Sequence, residues 1–548
     1  MTQAHLVLFE AENITRFIFV TNKRRENAGA SELITYLDRK WVREAAARVF
    51  PGFDGGWRIE NDPAELLMTG AGSVKILVRD CGQARDLVTA VTLSALRDAP
   101  GLDVCGMVSD PFEWSQPGAL AAVSRRMHEE FGDALAGRPG PDHRFQRLPV
   151  IDQCVTTGLP AATEIRQQDG RFEARSLESL RKWEAYGRQD DGDGLQRLAA
   201  AAGTQPTALG KIVTFLGEHA EWSAVVYADG NGLGNVFRDF GKLTAGNGNR
   251  AYADELRGFS DQLTRCTEQA FGQATAELRA ELPADQLVEG EVPVLPLVLG
   301  GDDMIAVCDG EVALSFAARY LRAFEQFTAQ APQIYGPLGR DNRGDRVAGC
   351  AGVAIVKPHF PFTSAAGLAY QLMREAKAVK DHVDGPCSAI SFEVLYDSTD
   401  PDLGRLRAGA VVPERGPDQA GRSTAARLTA QPYVVSAGPD APGTWAAGRH
   451  WDELLRRAAA LSTYGEDEER ALPASQVQGL RDALFISRPV AEARFESLRN
   501  RYPHAHAEAL AGPAGDLFWA EPGGQLVTGV LDAMNAAPFL GEFLASLA

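Results

Sequence analysis

The sequence lacks long hydrophobic runs. None of its apolar stretches approaches the roughly 20 residues that a membrane-spanning helix requires. The first residues, from Met1 to His5, show no basic segment followed by an apolar one, so no secretion signal is expected. We therefore expect a soluble, cytoplasmic protein with no membrane partner.

Paired cysteines and an excess of positive charge are also missing. The seven cysteines are widely spaced and form no CxxC motif, which argues against a zinc ribbon and a disulfide framework. The chain has 55 Lys and Arg against 73 Asp and Glu, a net charge of −18. An acidic chain repels phosphate backbones, so broad nucleic-acid binding is not expected, whereas an anionic ligand held through metal ions is compatible with this charge.

Two stretches of the chain show the same order of elements. The 548 residues, 45% of them hydrophobic, are too many for one hydrophobic core. From about residue 5 to 110, and again from about 221 to 398, apolar periodicity predicts the order βαββαβ, with a further edge strand at 388–392. This order is the ferredoxin-like arrangement. We predict an α+β protein with two ferredoxin-like palm domains.

The remaining stretches differ in pattern. Residues 400–445 are rich in Gly and Pro with little periodicity, which predicts loops. From Trp451 onward, an apolar stripe at helical spacing predicts a small helical bundle. The predicted domains are a degenerate first palm at 1–110, a mixed linker domain at 111–220, a catalytic second palm at 221–400, and a loop and helical domain at 401–548.

Three aspartates carry the main chemical signal. Asp229 ends the first strand of the second copy, and Asp302 and Asp303 lie at the tip of its hairpin. These elements are neighbours in a βαββαβ sheet, so the three carboxylates are expected to meet. Clustered carboxylates repel one another, and Mg²⁺ or Mn²⁺ would relieve that repulsion. The pattern predicts a two-metal site, with Asp302 and Asp303 catalytic, for attack of a ribose hydroxyl on the α-phosphate of a nucleotide.

Glycines flank all three aspartates. Gly300 and Gly301 allow positive φ and close approach of a nucleotide, and Gly230 and Gly232 beside Asp229 leave backbone N–H groups free to bind phosphates. The alternative interpretation is a solvated turn, because Asp and Gly are common turn residues. Finding both glycine-rich segments in one predicted sheet favours the functional interpretation.

The first copy lacks the cluster. Its hairpin, residues 70–73, reads Gly-Ala-Gly-Ser, and its first strand offers Glu10 and Glu12 without a partner motif. We expect a catalytically inactive palm that packs against the active one. The basic run from Lys23 to Arg25 is expected to be solvated, with a phosphate or RNA contact as the alternative.

These motifs resemble the large, polymerase-like subunit of type III CRISPR systems, which carries two palm domains. Residues 300–303 (GGDD) match the signature of its second palm. Residues 351–362 (AGVAIVKPHFPF), followed by 375–377 (EAK), are similar to its closing strand and helix, and residues 12–19 to its opening. The resemblance covers roughly residues 5–400.

The resemblance implies condensation of ATP, or another NTP, into cyclic or linear oligoadenylate messengers in antiviral defence, using Mg²⁺ or Mn²⁺. It implies metal binding by Asp229, Asp302 and Asp303 and a triphosphate contact by Lys377. Lys377 also lies on a helix predicted to pack beside the hairpin, where a phosphate contact and a solvated lysine fit equally well. RNA or CRISPR-type protein subunits would then be activating partners.

Two features of that family are not found. The sequence has no His-Asp dipeptide of an HD nuclease, so DNA cleavage is not expected. Cys154 stands without the partners of a four-cysteine zinc site, so zinc is not expected. A stand-alone or streamlined relative fits both losses.

Two other functions stay open. A cyclic dinucleotide cyclase of the GGDEF type would have Glu in place of Asp303 and Phe in place of Met304. A non-catalytic or RNA-binding large subunit of an RNA-guided complex would use the palms only to bind partners. Such a scaffold has no need of a carboxylate cluster.

Overall fold

The fold mixes helices with several β-sheets, which confirms the α+β class. None of the helices described combines the length and the apolar character that crossing a bilayer requires. The computed structural model describes residues 2–70, 72–166, 170–187, 195–246, 248–341, 343–396, 401–412, 425–436, 444–462, 471–502 and 504–541.

The first palm is an antiparallel sheet in the order β2-β3-β1-β4, with β5 also paired to β1. This is the predicted ferredoxin-like order. A π-helical turn joins α2 to α3, and Ala71 of the predicted hairpin lies outside the described residues. The elements are β1 (Gln3–Glu12), α1 (Ile14–Phe19), α2 (Arg24–Tyr36), α3 (Val42–Val49), β2 (Ala64–Gly70), β3 (Ser73–Val78), α4 (Cys81–Asp98), β4 (Asp103–Val108) and β5 (Phe112–Glu113).

Both faces of the first sheet are covered. Val7 and Phe9 pack with the helices of the palm, whereas Leu6 and Leu8, one residue out of phase, pack with residues of the first linker helix. Because neither face is solvated, β1 is an almost continuous apolar run rather than an alternating one. The linker elements are α5 (Ala119–Ala136), β6 (Thr163–Arg166), β7 (Phe172–Arg175), α6 (Leu177–Tyr186), α7 (Gln196–Ala202) and α8 (Pro206–Glu218).

The second palm repeats this order. Its six-stranded sheet contains β11-β8-β10-β9, the counterpart of β4-β1-β3-β2 in the first. After a crossover through α14, β12 pairs with β11 in parallel. The elements are β8 (Ser223–Gly230), α9 (Leu233–Arg238), α10 (Phe240–Leu243), α11 (Asn249–Glu281), β9 (Val294–Gly300), β10 (Asp303–Asp309), α12 (Gly310–Ala329), α13 (Pro332–Arg340), β11 (Gly349–Val356), α14 (Phe362–Ala376) and β12 (Ala389–Val394).

The predictions for the C-terminal part need two corrections. The strand expected at the sheet edge is not an edge strand, because β15 pairs with β12 on its outer side. The loops predicted for 400–445 are interrupted by a helix and three two-residue strands, which are too short to show a period; residues 413–424 and 437–443 lie outside the described residues. The elements are α15 (Leu403–Gly409), β13 (Val411–Val412), β14 (Ala426–Arg427), β15 (Tyr433–Val434), α16 (Trp451–Ser462), α17 (Ala474–Ile486), α18 (Arg488–Arg501), α19 (His504–Ala509), β16 (Trp519–Ala520), β17 (Leu526–Val527) and α20 (Val530–Ala536).

The predicted C-terminal helices are present, but a small sheet accompanies them. Its order is β13-β14-β17-β16, and it joins the segment before α16 to the segment before α20. The predicted domain boundaries remain predictions.

The long helix α11 connects the two palms. It packs against β2 of the first palm and β9 of the second. Glu65 on β2 accepts hydrogen bonds from Arg250 at 2.7 Å and from Arg257 at 2.6 Å, both on α11. At the far side of the sheet, Asn22 accepts a hydrogen bond from the backbone N–H of Phe362, the first residue of α14. The first palm therefore holds two helices of the second.

Candidate active site

The site lies at the C-terminal end of β8, a central strand of the second sheet. Asp229 is the penultimate residue of β8, opposite Cys350 on β11. On its other side β8 pairs with β10, with Ala228 opposite Met304. Continuing this register by one residue sets Asp229 opposite Asp303. The strand pairing thus brings together two predicted site residues that lie far apart in sequence.

The turn before β10 brings in the third carboxylate. Gly300 pairs with Asp303, so Gly301 and Asp302 are the two central residues of a tight hairpin turn. Gly301 has a φ of +59°, a backbone conformation that glycine adopts without strain and that type II′ turns require at this position. The turn directs Asp302 back over β8. A Cβ atom placed on Gly230 would lie 3.0 Å from Oδ2 of Asp302 and only 2.4 Å from Cδ1 of Leu233.

The carboxylates disturb one another. Burial, the charges of Asp229 and Asp303, and a hydrogen bond shared with Asp229 raise the pKa of Asp302 well above its usual value. Burial and the charge of Asp229 raise the pKa of Asp303 to about 7, although Lys377 opposes the shift. Raised pKa values mean that the charged forms of these crowded carboxyl groups are disfavoured, because too little positive charge lies nearby.

Lys377 supplies part of that charge. It follows α14 directly, and its Nζ lies 2.6 Å from Oδ2 of Asp229. Burial lowers the pKa of Lys377, but the charge of Asp229 and its hydrogen bond outweigh this and raise it. The structure therefore brings all four predicted side chains of the site to one sheet edge, with the ammonium beside Asp229.

The donor chemistry fits Mg²⁺ or Mn²⁺. Among the described residues, no three His, Cys, Asp or Glu side chains are grouped closely enough to hold an ion by themselves. Mg²⁺ seldom needs such a cage, because it usually binds through one or two carboxylates and completes its shell with water and substrate phosphates. The all-oxygen donors of Asp229, Asp302 and Asp303 match this preference. These residues would hold the ions.

The predicted glycines fall into two groups. Gly230, Gly300 and Gly301 lie within the strand ends and turn that carry the aspartates. Gly232 lies just beyond β8, with a φ of +82°, and a Cβ atom there would meet no heavy atom within 4 Å. The space beside the Gly232 backbone is open, and the phosphate contact expected there stays a prediction.

The corresponding position of the first palm is occupied differently. Glu10 pairs with Ser73, the first residue of β3, just as Asp229 faces the first residue of β10. Lys75 lies two residues further along β3 and is buried. Its Nζ is 2.8 Å from Nε2 of His128 and 3.3 Å from Oγ of Ser124, both on α5. Burial and Glu12 raise the pKa of Glu10 to about 7, and burial lowers that of Lys75 to about 8. An internal lysine and α5 therefore fill this face.

The basic run needs a correction. Arg24 is not solvated: it is 5% exposed, and its guanidinium carbon lies 3.5 Å from the centroid of the Phe362 ring. Burial lowers its pKa to about 10. Arg24 instead makes a cation–π contact with the start of α14. No local pattern indicates this contact, because the two residues are far apart along the chain.

Sequence reasoning also missed residues around the cluster. Tyr227 precedes Asp229 by two residues on the same face of β8, and its ring lies 5.4 Å from that of Tyr370 on α14. Thr264 and Thr267 on α11 hydrogen-bond to the backbone of Gly301. The alternation of β8 could have indicated Tyr227, but no local signal marks threonines within a 33-residue helix.

Comparison with known families identifies the domain that carries the site. Residues 222–383 match the family model for Cas10/Cmr2, second palm domain. This stretch contains Asp229, Asp302, Asp303 and Lys377. The resemblance drawn from the sequence is confirmed for this stretch, which is a Cas10-like palm. No curated protein gives a significant match to the chain.

Solved structures of similar architecture include chains of Csm1-Csm4 cassettes. The cassette in complex with cA4 aligns at 11% identity and a TM-score of 0.46, covering 92% of this chain and 65% of that one. The cassette in complex with pppApApA gives 12% and 0.48, covering 93% and 65%. Csm1 in T.onnurineus gives 13% and 0.45, covering 92% and 65%. The chain thus spans 65% of the length of each of these proteins.

Proposed function

We propose, from its Cas10-like second palm, that this chain is a metal-dependent nucleotidyltransferase that condenses ATP into cyclic or linear oligoadenylate messengers in antiviral defence. The observation that supports this most is the convergence of Asp229, Asp302 and Asp303 at one sheet edge. A scaffold gains nothing from clustering carboxylates at a cost in repulsion. Clustered negative charge of this kind suits a site that binds cations and, through them, phosphates.

Each residue has a part in that chemistry. Bound Mg²⁺ or Mn²⁺ would lower the pKa of the attacking ribose hydroxyl and neutralise the pyrophosphate that leaves. Asp229 and Asp303, facing each other across β8 and β10, would hold the ions, and Asp302 on the turn would complete their coordination. Lys377 lies close enough to Asp229 to place its ammonium against a triphosphate bound to the same ions.

The proposed substrates are ATP or another NTP, and the proposed activators are RNA or protein subunits of a CRISPR-type complex. The proposed location is the cytoplasm. A cyclic dinucleotide cyclase is the closest alternative reaction, since the same metal chemistry would serve it. Asp303 and Met304 stand where a GGDEF enzyme would have Glu and Phe, which favours the oligoadenylate product.

The test is product analysis. Purified protein is incubated with each NTP and Mg²⁺ or Mn²⁺, with and without RNA, and products are identified by mass spectrometry. We expect oligoadenylates from ATP, and loss of product in the double variant Asp302→Ala/Asp303→Ala with the fold retained by circular dichroism. The matched control is Asp309→Asn, which alters a carboxylate at the other end of β10 whose Oδ1 accepts a hydrogen bond from the N–H of Glu311.

The outcomes separate the alternatives. Cyclic dinucleotides as the main product would replace oligoadenylate synthesis with the rival reaction. Full synthesis by the double variant would remove the assigned site. No product from any NTP under any of these conditions, together with co-purification of guide RNA or partner subunits, would favour the non-catalytic scaffold.

A further inference from the structure

The turn that carries Asp302 is held from behind by α11. The backbone N–H of Gly301 donates to Oγ1 of Thr264 at 3.1 Å. The hydroxyl of Thr267 donates to the carbonyl oxygen of Gly301 at 2.7 Å. Both polar groups of the residue immediately before Asp302 are therefore bound by side chains of one helix.

The geometry of α11 explains why two threonines suffice. Positions 264 and 267 are three apart, so they lie on the same face of the helix, one turn from each other. One hydroxyl accepts and the other donates, which matches the N–H and the C=O of a single residue. Thr267 is fully buried, so no solvent replaces its bond to Gly301.

Another threonine of the same helix behaves differently. Thr275 is also buried, but its hydroxyl donates to Phe271 and Gly272 within α11, at 3.1 and 3.0 Å. This back-bonding to the preceding turn is the usual arrangement of a threonine within a helix. Thr267 gives its proton to the hairpin turn instead, so its hydroxyl serves a contact between elements.

The first palm lies against the same turn. A Cβ atom placed on Gly70, at the end of β2, would lie 3.4 Å from Oγ1 of Thr264 and 3.8 Å from the nitrogen of Gly301. The turn is thus enclosed between α11 and the hairpin of the inactive palm. Its two-residue length leaves few backbone torsions through which Asp302 can move once Gly301 is fixed.

We infer that Thr264 and Thr267 are positioning residues: they fix the two peptide units on either side of the Gly301 Cα, so that the carboxylate of Asp302 meets those of Asp229 and Asp303 at the ion site. This inference rests on the proposed function for its chemical consequence. Outer residues that orient metal ligands commonly change metal affinity or activity about 10- to 100-fold when removed. Thr264 and Thr267 are outer residues of this kind, because their hydroxyls bind the residue that precedes Asp302.

The experiment compares Thr264→Val, Thr267→Val and the double variant with the wild-type chain. Valine keeps the branched shape and removes the hydroxyl. Mn²⁺ affinity is measured by electron paramagnetic resonance, and hydrogen exchange is followed at the amides of residues 301–303. We expect the double variant to bind Mn²⁺ about 10- to 100-fold more weakly, to exchange these amides faster, and to lose kcat with an unchanged KM for ATP.

Two further variants control for folding. Thr267→Ser keeps the hydroxyl and should restore Mn²⁺ affinity and kcat to near wild type. Thr275→Val removes a buried hydroxyl from the same helix and should leave Mn²⁺ affinity and turn exchange unchanged. An equal loss in Thr275→Val, or no recovery in Thr267→Ser, would mean that the helix as a whole is affected, and the inference would be wrong.

Failure of the inference and failure of the proposed function give different results. Mn²⁺ affinity and amide exchange that match wild type in the double variant would overturn the inference while product synthesis stands. Wild-type protein that binds Mn²⁺ but makes no oligonucleotide would overturn the proposed function, and weakened Mn²⁺ binding in the double variant would still support the positioning role. Wild-type protein that binds no Mn²⁺ overturns both.

Discussion

The ammonium of Lys377 lies 2.6 Å from a carboxylate oxygen of Asp229. The side chain that the family resemblance assigns to the triphosphate thus binds a residue that it assigns to a metal. A cation bound to Asp229 at this distance repels a second cation at the same carboxylate. Under the proposed function, Lys377 and a metal ion would therefore compete for Asp229, and a bound triphosphate would give Lys377 another partner.

This competition predicts opposite effects of Lys377→Ala. Without nucleotide, Mn²⁺ should bind more tightly than in wild type, because the competing ammonium is gone. With ATP, kcat/KM should fall about tenfold or more, since a charge-assisted phosphate contact contributes roughly 1.5–3 kcal/mol. Mn²⁺ titration and initial rates measure the two effects.

Lys380 provides the control, because it lies on the same short helical segment but is exposed. Lys380→Ala should change neither quantity. If Lys377→Ala weakened Mn²⁺ binding in the absence of nucleotide, the competition would be disproved, and Lys377 would instead support the geometry of Asp229.

A second prediction concerns acid stability. Burial alone would raise the pKa of Glu65, but hydrogen bonds from Arg250, Arg257 and the N–H of Ile59 lower it from 4.5 to about 2. A carboxyl whose pKa is lower in the folded state stabilises the fold above pH 4.5, and that contribution is lost as the pH falls from 4.5 towards 2. The difference corresponds to about 3 kcal/mol.

Glu65→Gln should therefore lower the free energy of unfolding by about 3 kcal/mol at pH 7, and by less than half of that at pH 3. Urea unfolding at both pH values measures this. The comparison is Glu129→Gln, which removes an exposed ion pair with Arg125 and should cost about 0.5 kcal/mol or less. A difference between wild type and Glu65→Gln that stays constant with pH would contradict the assigned cause.

A third prediction concerns the support of α14 from the C-terminal part. Arg407 on α15 donates to both carboxylate oxygens of Glu375, each at 2.8 Å, and to Glu393 on β12 at 2.8 Å. Lysine cannot reproduce this fork. Arg407→Lys should lower the free energy of unfolding by about 2 kcal/mol, measured by urea unfolding.

Activity gives a second readout for this contact. Glu375 lies two residues before Lys377, so loss of this contact should leave the C-terminal end of α14, and with it Lys377, less firmly held. Under the proposed function, KM for ATP should then rise more than kcat falls. Arg405→Ala, on the exposed face of the same helix, is the matched control and should leave stability and KM near wild type. Equal effects of the two variants would show that the Glu375 contact has no special role.

Much of the palm architecture was predictable from periodicity and spacing. The apolar strands around residues 224–228 and 294–307 and the long helix between them fixed the order βαββαβ, and that order alone implied that Asp229 would meet Asp302 and Asp303. The pairing of β8 with β10 agrees. The proposed chemistry of the site was inferred because two glycine-rich segments with aspartates fall in one predicted sheet, whereas one such segment alone would fit a solvated turn.

Contacts between distant elements could not be predicted in this way. Arg24 looked like one residue of a solvated basic run, because its burial depends on Phe362, more than 300 residues further along the chain. The bonds from Thr264 and Thr267 to Gly301 depend on how α11 lies across the hairpin, which no local pattern encodes. The two-residue strand β15 is too short to leave an alternation.

The lysine buried beneath α5 distinguishes the two halves of this internal duplication. Lys75 carries its positive charge into the first sheet as part of the polypeptide, so the balance of charge around Glu10 is set when the chain is synthesised. Under the proposed function, the second sheet would obtain from dissolved ions the part of its charge balance that Lys377 does not supply. A chelator would then alter one half of the duplicated pair and leave the other unchanged.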